Sequence, residues 1–345
     1  MKPSTLRCLP RTGQSLSLLG LGCAPLGNLY TPTSDADAAA VVESAWQAGL
    51  RLFDTAPLYG HGLSEHRLGQ ALRSRPRAAY CVSTKVGRLL KPHSGRSSGQ
   101  QAHWVNPLPF EPVFDYSAAG VRRSIEDSLQ RLGMAHVDLA LVHDIGRATH
   151  GERHAHHWQQ LTRGGGLREL QAMRDEGLVR AVGLGVNEWQ VIQDVLDHTE
   201  LDCALLAGRY TLLDQSALHP FLDLAERRGV GIVIGGPFNS GVLATGAASN
   251  ATFDYGAVPP DILARVQRLQ RVCEGFGVPL GAAALQFPLA HPAVLSCIPG
   301  VRDAGELQQI LGWLGTPLPP ALWAALLDEG LLAPGTPVPV LAADI

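Results

Sequence analysis

The sequence predicts a (β/α)8 TIM barrel with an N-terminal β-hairpin, built as one domain over residues 1–345. Eight short apolar runs alternate strictly with helical patterns along the chain. Repeated strand–helix units make their strands parallel, and eight such units favour a closed barrel. An open doubly wound sheet that binds a dinucleotide carries G-x-G-x-x-G after its first strand, and Gly20, Gly22 and Gly27 do not have that spacing.

Each element is predicted from its periodicity and its end signals. Two apolar runs around Arg11-Thr12-Gly13-Gln14 predict the hairpin. Ser34 is the expected cap of the first helix, and Gly133 is the expected end of a helix with a clear apolar stripe. Strands are expected at 19–22, 51–53, 80–84, 138–142, 179–184, 202–206, 230–234 and 293–298. Helices are expected at 34–49, from about 64, and at 117–132, 167–176, 188–198, 218–228, 260–274, 280–290, 303–314 and 320–329.

Two long polar segments interrupt this alternation. Residues 87–114 are rich in Gly, Ser, Pro and His but also contain Trp104, Phe110 and Phe114. Long loops are usually functional or disordered, and these aromatic residues favour a pocket wall. Residues 144–166 are expected to form a second polar loop.

Composition excludes several classes of function. The net charge is −3 and no long run of one sign occurs, so no nucleic-acid partner is expected. No apolar stretch reaches the roughly 18 residues of a membrane span, and the N-terminus lacks a signal-peptide core. The six cysteines are scattered without a C-x-x-C pair, which indicates reduced, mostly buried thiols in the cytoplasm. We expect a cytoplasmic monomer or weak homo-oligomer without a membrane partner.

Polar residues follow three successive predicted strands. Asp54 ends the run at 51–53, Lys85 follows 80–84 and His143 follows 138–142, while Tyr59 lies in the loop after Asp54. In a parallel barrel the chemistry lies at the carboxyl ends of the strands. Taken singly, the Asp is a common loop anchor and the Tyr a common packing residue, but a buried unpaired ammonium is costly. The four together therefore predict one catalytic site.

These four side chains suit proton transfer. A free phenol has a pKa of about 10 and is a poor base, but a neighbouring ammonium favours the phenolate. Asp54 would hold Lys85 charged, Tyr59 would exchange a proton with a carbonyl or hydroxyl oxygen, and His143 would orient that oxygen. The set contains no electron sink. A cofactor must therefore carry the electron pair, and a nicotinamide is the simplest hydride carrier.

The pattern F-D-T-A-x-x-Y-G, then S-T-K, then a strand ending in His, resembles the aldo-keto reductase superfamily over nearly the whole chain. The resemblance implies a catalytic tetrad of Asp54, Tyr59, Lys85 and His143, with Tyr59 as the acid/base. It implies that Asn187 binds the cofactor carboxamide and that Gly22 lies in the opening glycine segment. It also implies that the cofactor pyrophosphate is covered by Pro237, Phe238, Ser240 and Gly241. The adenosine end of the cofactor would be held by Gly300, Arg302 and Glu306.

The chain departs from the family pattern at two positions. Gly185 replaces a serine beside the carboxamide ligand, and Gly235 replaces the aromatic residue that usually stacks on the nicotinamide. The 2′-phosphate of NADP usually needs several cations, whereas here Arg302 stands alone near Glu306 and Asp303. We therefore expect NAD as the preferred cofactor, with NADP possible.

Three further segments resemble the aldose 1-dehydrogenase branch, which includes L-fucose, D-threo-aldose and L-galactose dehydrogenases and pyridoxal 4-dehydrogenase. These segments are 58–65, 185–189 and 205–212. The resemblance implies oxidation of an L-fucose-like or D-threo-aldose-like sugar to a lactone. Trp104 and His103 are the expected substrate contacts. Pyridoxal oxidation and general NADPH-dependent reduction of an aldehyde or ketone are the alternatives within the family.

Two other classes remain open at this point. A metal-dependent barrel hydrolase could use the histidines of the 144–166 loop, which are His150, His154, His156 and His157. Because they lie in one loop, a solvated His-rich loop is the favoured interpretation and no metal is expected. A barrel that holds the cofactor but regulates a partner is the second class, although an intact tetrad favours turnover.

Overall fold

The computed structural model describes residues 1–93, 100–101, 103–248, 251–254 and 256–339. Its centre is a barrel of eight parallel strands, each bonded to the next in chain order. The predicted fold class is confirmed. The strands are β1 (Leu21–Gly22), β2 (Leu52–Asp54), β3 (Cys81–Val86), β4 (Val137–His143), β5 (Val179–Val186), β6 (Cys203–Ala207), β7 (Gly231–Gly235) and β8 (Val294–Ile298).

The barrel is closed by hydrogen bonds between the first and last strands. The Gly20 N–H donates to the Cys297 carbonyl at 2.9 Å, and the Gly22 N–H donates to the Pro299 carbonyl at 2.9 Å. The Cys297 N–H in turn donates to the Leu18 carbonyl at 3.0 Å. These bonds join the two edges that an open sheet would leave exposed.

The predicted helices are all present, and one further helix, His154–Leu161, lies in the segment that was predicted as a loop. Ser34 accepts from the Asp37 N–H at 3.1 Å and caps the first helix, while Gly133, at φ +65°, ends the helix Ala118–Leu132. The predicted helix at 218–228 begins with a π-turn before Asp223–Arg228. The other α-helices longer than one turn are Asp35–Gln47, Leu63–Leu72, His154–Leu161, Gly166–Asp175, Trp189–Leu196, Pro260–Gly275, Leu280–Gln286, Ala304–Gly315 and Pro320–Asp328. Among the described residues no single helix is long and apolar enough to cross a membrane; only two sharply bent helix pairs reach that length and composition together.

The N-terminal hairpin fills the amino end of the barrel. Its strands, Leu6–Cys8 and Ser15–Ser17, pair antiparallel as predicted. Leu9 and Leu16 are buried against the side chains that point into the barrel, among them Leu139. Because this end is filled by apolar side chains, a functional pocket has to lie at the opposite end, beyond the carboxyl ends of the strands.

The segment 87–114 is more regular than the sequence predicts. Arg88–Pro92 pairs antiparallel with Phe110–Phe114, so the expected loop is largely a hairpin. Proline in each strand hides the pattern, because proline is uncommon inside strands and is tolerated at an edge. Residues 94–99 and 102 of the predicted loop lie outside the described residues.

The prediction of a solvated histidine loop at 144–166 is wrong. The segment contains the helical pieces Arg147–His150 and His154–Leu161, and His150, His154 and His157 are buried. A neutral imidazole can pack like an aromatic ring; the His150 ring lies 4.6 Å from that of Phe114. Burial lowers the pKa of His150 to about 4, which keeps it neutral. The sequence analysis treated these residues as solvated surface groups.

The cysteines are free thiols, as predicted. Cys8 is exposed and the other five are buried. Burial raises the pKa of the Cys203 and Cys297 thiols well above the ordinary value. Such thiols are poor nucleophiles and act as small apolar side chains.

Candidate active site

A buried ion pair stands at the carboxyl ends of β2 and β3. The Lys85 Nζ donates to Asp54 Oδ2 at 2.8 Å and to the Thr55 carbonyl at 2.9 Å. The two side chains are only 2% and 4% exposed. A lone buried ammonium would be strongly unfavourable, so Asp54 is what allows Lys85 to remain charged at this position.

Tyr59 is held above this pair by a tight packing of two loops. The Tyr59 N–H donates to the Ala56 carbonyl at 3.1 Å, and the Tyr59 carbonyl accepts from the Ser64 N–H at 3.2 Å. A Cβ added to Gly27 would lie 2.5 Å from the carbonyl carbon of Tyr59, so only glycine fits there. The Lys85 Nζ lies 4.8 Å from the centroid of the Tyr59 ring.

His143 is the last residue of β4 and completes the group. Its ring meets that of Tyr59 edge to face, with centroids 6.1 Å apart. Burial lowers the pKa of His143 well below its ordinary value, and the positive charges of Arg88 and Lys85 lower it further. The imidazole is therefore neutral and can serve as a hydrogen-bond partner for a substrate oxygen. The structure thus brings the four predicted catalytic residues together.

Of the two predicted substrate contacts, Trp104 lies beside the site. Its ring is 5.5 Å from that of Tyr59, and its side chain is buried. A backbone bridge between Leu29 and Trp104 holds this wall against the loop after β1. His103 is exposed, and its ring contacts Tyr30 at 5.7 Å.

The predicted cofactor residues lie at the end of β1 and after β5, β7 and β8. Gly236 is exposed at φ +55°, and among the described residues only the Gly208 nitrogen, at 3.8 Å, lies near the place of a Cβ. A phosphate group can therefore approach the main chain there closely. Pro237 and Phe238 are buried instead, and the Phe238 ring packs on Trp313 at 5.4 Å. Asn239 fixes the turn that contains Ser240 and Gly241 by donating to the Gly208 carbonyl at 3.0 Å.

At Gly185 and Gly235, the two positions that depart from the family pattern, neighbouring side chains limit the room for a larger residue. A Cβ at Gly185 would lie 3.2 Å from Lys85 Cε, so a serine there would crowd the catalytic lysine. A Cβ at Gly235 would lie 2.9 Å from Leu205 Cδ2, so the leucine side chain occupies the space of the missing aromatic residue. Asn187 lies directly after β5 and is partly exposed.

The predicted adenosine site carries an internal ion pair. Arg302 Nε donates to Glu306 Oε1 at 2.7 Å, and the Arg302 N–H donates to Glu306 Oε2 at 2.9 Å. The hydrogen bond to Glu306 raises the pKa of Arg302. Asp303 caps the helix Ala304–Gly315, which contains Glu306, by accepting from the Glu306 N–H at 2.9 Å. Gly300, just before them, is exposed.

Sequence reasoning missed a second polar layer behind His143. Arg88 Nη2 donates to Asp144 Oδ2 at 2.6 Å, and the Tyr116 hydroxyl donates to the His143 carbonyl at 2.7 Å. Burial raises the pKa of Tyr116 above its ordinary value, so it remains a donor. Each residue is close in sequence to a predicted site residue, since Asp144 follows His143 and Arg88 follows Lys85 by three positions, but this proximity does not show that the two side chains pair.

The histidines of the 144–166 segment do not assemble as metal ligands. Within the described ranges, no group of three or more His, Cys, Asp or Glu side chains is close enough to hold an ion. The His150 and His157 rings instead pack against each other in a tilted arrangement, with their centroids 4.4 Å apart.

The fold is a (β/α)8 barrel that brings a phenol, an ammonium, a carboxylate and an imidazole together at the carboxyl ends of its strands. Residues 18–328 match the model of the Aldo/keto reductase family, and the chain belongs to this family. The predicted family and branch are confirmed, and the chain is an NAD(P)-dependent oxidoreductase of small-molecule aldehyde or sugar substrates.

Individual proteins show the same likeness. A pyridoxal 4-dehydrogenase of Microbacterium luteolum is 49% identical over 96% of this chain and 99% of its own length. A D-threo-aldose 1-dehydrogenase of a Pseudomonas species is 37% identical over 95% of this chain and 98% of its own length. An aldo-keto reductase structure from Bacillus halodurans superposes with a TM-score of 0.72 at 23% identity, covering 94% of this chain and 95% of that one, which shows the shared fold.

Proposed function

We propose that the protein oxidises the hydroxyl-bearing carbon of a cyclic hemiacetal to a lactone, with Tyr59 as acid/base. The observation that supports this most directly is the placement of the Lys85 ammonium between Asp54 and the face of Tyr59. Two substrates share the required group: the hemiacetal of pyridoxal, and aldoses of the L-fucose or D-threo type. The sequence led first to a sugar, but the 49% identity to a pyridoxal 4-dehydrogenase, against 37% to a D-threo-aldose 1-dehydrogenase, supports pyridoxal as the first candidate.

The chain's own groups divide the proton chemistry between them. Tyr59, with the Lys85 ammonium 4.8 Å from its ring centroid, takes the proton from the substrate hydroxyl. His143 hydrogen-bonds the same oxygen and fixes its distance from Tyr59. A bound nicotinamide would accept the hydride from the reacting carbon. Asn187 would hold the carboxamide of the cofactor, and the exposed backbone at Gly236 and Gly300 would admit its phosphates and adenosine.

NAD is the proposed cofactor. Glu306 already satisfies the Arg302 guanidinium, so a 2′-phosphate would have to displace this carboxylate or lie beside it and Asp303. Like charges at such close range disfavour binding. A free ribose hydroxyl can instead donate to either carboxylate. A tenfold or greater kcat/KM advantage for NADP would overturn this assignment.

Trp104 supports a flat or ring-shaped substrate. Its buried ring stands beside Tyr59 and offers an apolar face on which either a pyridine or the less polar face of a sugar can stack. His103 is proposed as a second contact, from the exposed turn that precedes Trp104.

The direct test is a panel of pyridoxal, L-fucose, D-arabinose and L-galactose with NAD or NADP, followed by the absorbance of the reduced cofactor. Turnover of pyridoxal or a sugar is expected, and failure with every compound would refute the proposal. Tyr59→Phe should lower kcat by about 10²–10⁴-fold at unchanged cofactor affinity. Tyr80→Phe, a buried tyrosine packed on Trp46, is the matched control. A regulatory subunit would lose nothing in Tyr59→Phe.

The remaining expectations concern the whole chain. We retain a cytoplasmic location, a monomer or weak homo-oligomer, and a single domain over 1–345 as predictions. Light scattering over a concentration series would test the oligomeric state, and limited proteolysis would test the domain assignment.

A further inference from the structure

A carboxylate outside the catalytic tetrad stands next to its histidine. Asp144 Oδ2 accepts from Arg88 Nη2 at 2.6 Å, and the same oxygen lies 3.4 Å from His143 Nε2. The Arg88 and Asp144 side chains are only 10% and 21% exposed. One carboxylate oxygen therefore faces a guanidinium on one side and the catalytic imidazole on the other.

Asp144 is fixed in this position by its backbone and by its neighbours. It adopts φ +44°, a left-handed conformation that Asp and Asn tolerate better than most residues. Its N–H donates to the Gly185 carbonyl at 3.0 Å, which ties it to the end of β5. Arg88 is held in turn by stacking on Phe114, with 5.0 Å from its guanidinium carbon to the ring centroid. The contact with His143 is therefore a built feature of the site.

The contact distinguishes the two neutral forms of His143. Nε2 lies 3.4 Å from the carboxylate oxygen, whereas Nδ1 is buried and has no hydrogen-bond partner among the described residues. A proton on Nδ1 would leave a buried N–H without an acceptor and would point the Nε2 lone pair at a carboxylate. With the proton on Nε2, no N–H is buried without an acceptor, and an N–H rather than a lone pair lies beside the carboxylate. The surroundings therefore favour the Nε2–H form.

We propose that Asp144, anchored by Arg88, is a positioning residue that keeps His143 in the Nε2–H tautomer while the site is empty. The substrate oxygen then takes over this N–H as it binds, while Arg88 continues to donate to the carboxylate. The catalytic consequence rests on the proposed function, in which Tyr59 takes the hydroxyl proton. In the other tautomer, Nε2 would accept that same proton and compete with Tyr59. As the substrate oxygen loses its proton it gains negative charge, so the N–H donor stabilises the transition state more than the ground state.

The tautomer can be observed without turnover. Protein with ¹⁵N-labelled histidine would be examined by long-range ¹H–¹⁵N correlation at neutral pH, with the His143 signals assigned by their loss in His143→Asn. The wild type should show Nε2 protonated and Nδ1 bare. A wild-type His143 that carries its proton on Nδ1 would overturn the proposal, and this result needs no destabilised variant. Because no substrate is involved, the spectrum stands even if the proposed reaction fails.

Variants then connect the tautomer to the rate. Asp144→Gly removes the carboxylate at a positive φ that glycine accepts without strain, and should produce a mixture of tautomers. With whichever substrate turns over, kcat should fall about 10–100-fold, as for other residues that orient a catalytic group, while KM changes less than threefold. Asp144→Asn keeps an oxygen acceptor and the left-handed backbone, and should recover most of the rate.

A matched control lies at the other end of the same strand. Asp138 in β4 is a buried aspartate that accepts from the Val82 N–H at 2.8 Å and pairs with Arg77. Asp138→Asn should lower stability without changing the His143 tautomer or the ratio of kcat to KM. If Asp144→Gly behaves like this control in both readouts, Asp144 is structural and the proposal is wrong.

Discussion

Replacing Asp54 by asparagine tests how the site keeps a cation buried. The substitution preserves the shape of the side chain but removes the charge that lies 2.8 Å from Lys85 Nζ. In the variant, the Lys85 ammonium keeps its hydrogen bond to the Thr55 carbonyl, which carries no net charge. With its side chain 2% exposed, the ammonium cannot turn to solvent. The variant therefore leaves a charge buried without a counter-charge.

The expected loss of stability follows from that distance. At 2.8 Å and an effective dielectric constant of roughly 20, the attraction is about 6 kcal/mol. Part of this is recovered because an amide costs less to bury than a carboxylate. Removal of one partner of a buried pair typically costs about 3–5 kcal/mol. We expect the free energy of unfolding to fall by that amount, together with a large loss of kcat.

Urea unfolding followed by circular dichroism measures this loss. With a slope of about 3 kcal/mol per molar urea, the midpoint should fall by about 1 M or more. The control is Asp202→Asn, because Asp202 is buried to the same degree but its partner Arg174 is 33% exposed. A cation that can reach water should make that loss only about 1 kcal/mol.

A double-mutant cycle completes the test. Lys85→Met strands the carboxylate instead, and the double variant Asp54→Asn/Lys85→Met should be clearly less destabilised than the sum of the single variants. If the cycle is additive to within about 0.5 kcal/mol, or if Asp54→Asn costs no more than Asp202→Asn, the reasoning about the buried pair is refuted.

The other predictions address the cofactor, the substrate wall and acid stability. Glu306→Gln should raise kcat/KM for NADP relative to NAD by about tenfold, since a repulsive charge is removed and Arg302 is released; an unchanged ratio in steady-state assays would contradict the assignment. Trp104→Ala should raise KM several-fold with little change in kcat, which the substrate panel would show. Because folding lowers the pKa of His150 from its ordinary 6.5 to about 4, the unfolded chain binds a proton first. Its contribution to stability is complete above pH 6.5 and is lost as the pH falls towards 4, so His150→Phe should reduce acid sensitivity in urea titrations from pH 7 to 4.

The sequence was sufficient for the barrel and the tetrad because both follow from local patterns. A strand that ends in Asp54 or His143 can be recognised within a few residues, and the carboxyl ends of parallel strands must meet. The pair formed by Arg88 and Asp144 joins residues 56 positions apart and depends on the turn that brings Arg88 back over β4. No local pattern encodes that approach.

One wrong prediction and one open question both depended on contacts between distant residues. The histidine-rich helix His154–Leu161 was predicted as a solvated loop, because its rings pack as neutral aromatic groups only in the presence of Phe114 and Tyr116. The sequence did not show what lies beside Gly235, because Leu205, which fills that space, comes from the neighbouring strand, 30 positions away in the chain. In both cases the missing information was a tertiary contact.

The hydrogen bonds that join β1 to β8 also determine when the barrel can close during synthesis of the chain. The partner of the Gly20 N–H is the carbonyl of Cys297, so the first strand has an unpaired edge until almost 300 residues have left the ribosome. During that interval the catalytic strands are already paired with one another, while the incomplete sheet offers an edge to other chains. A nascent chain stopped before β8 should therefore depend on chaperones. Substitutions that disrupt β8 should lower the yield of folded protein more than they lower the activity of each folded molecule.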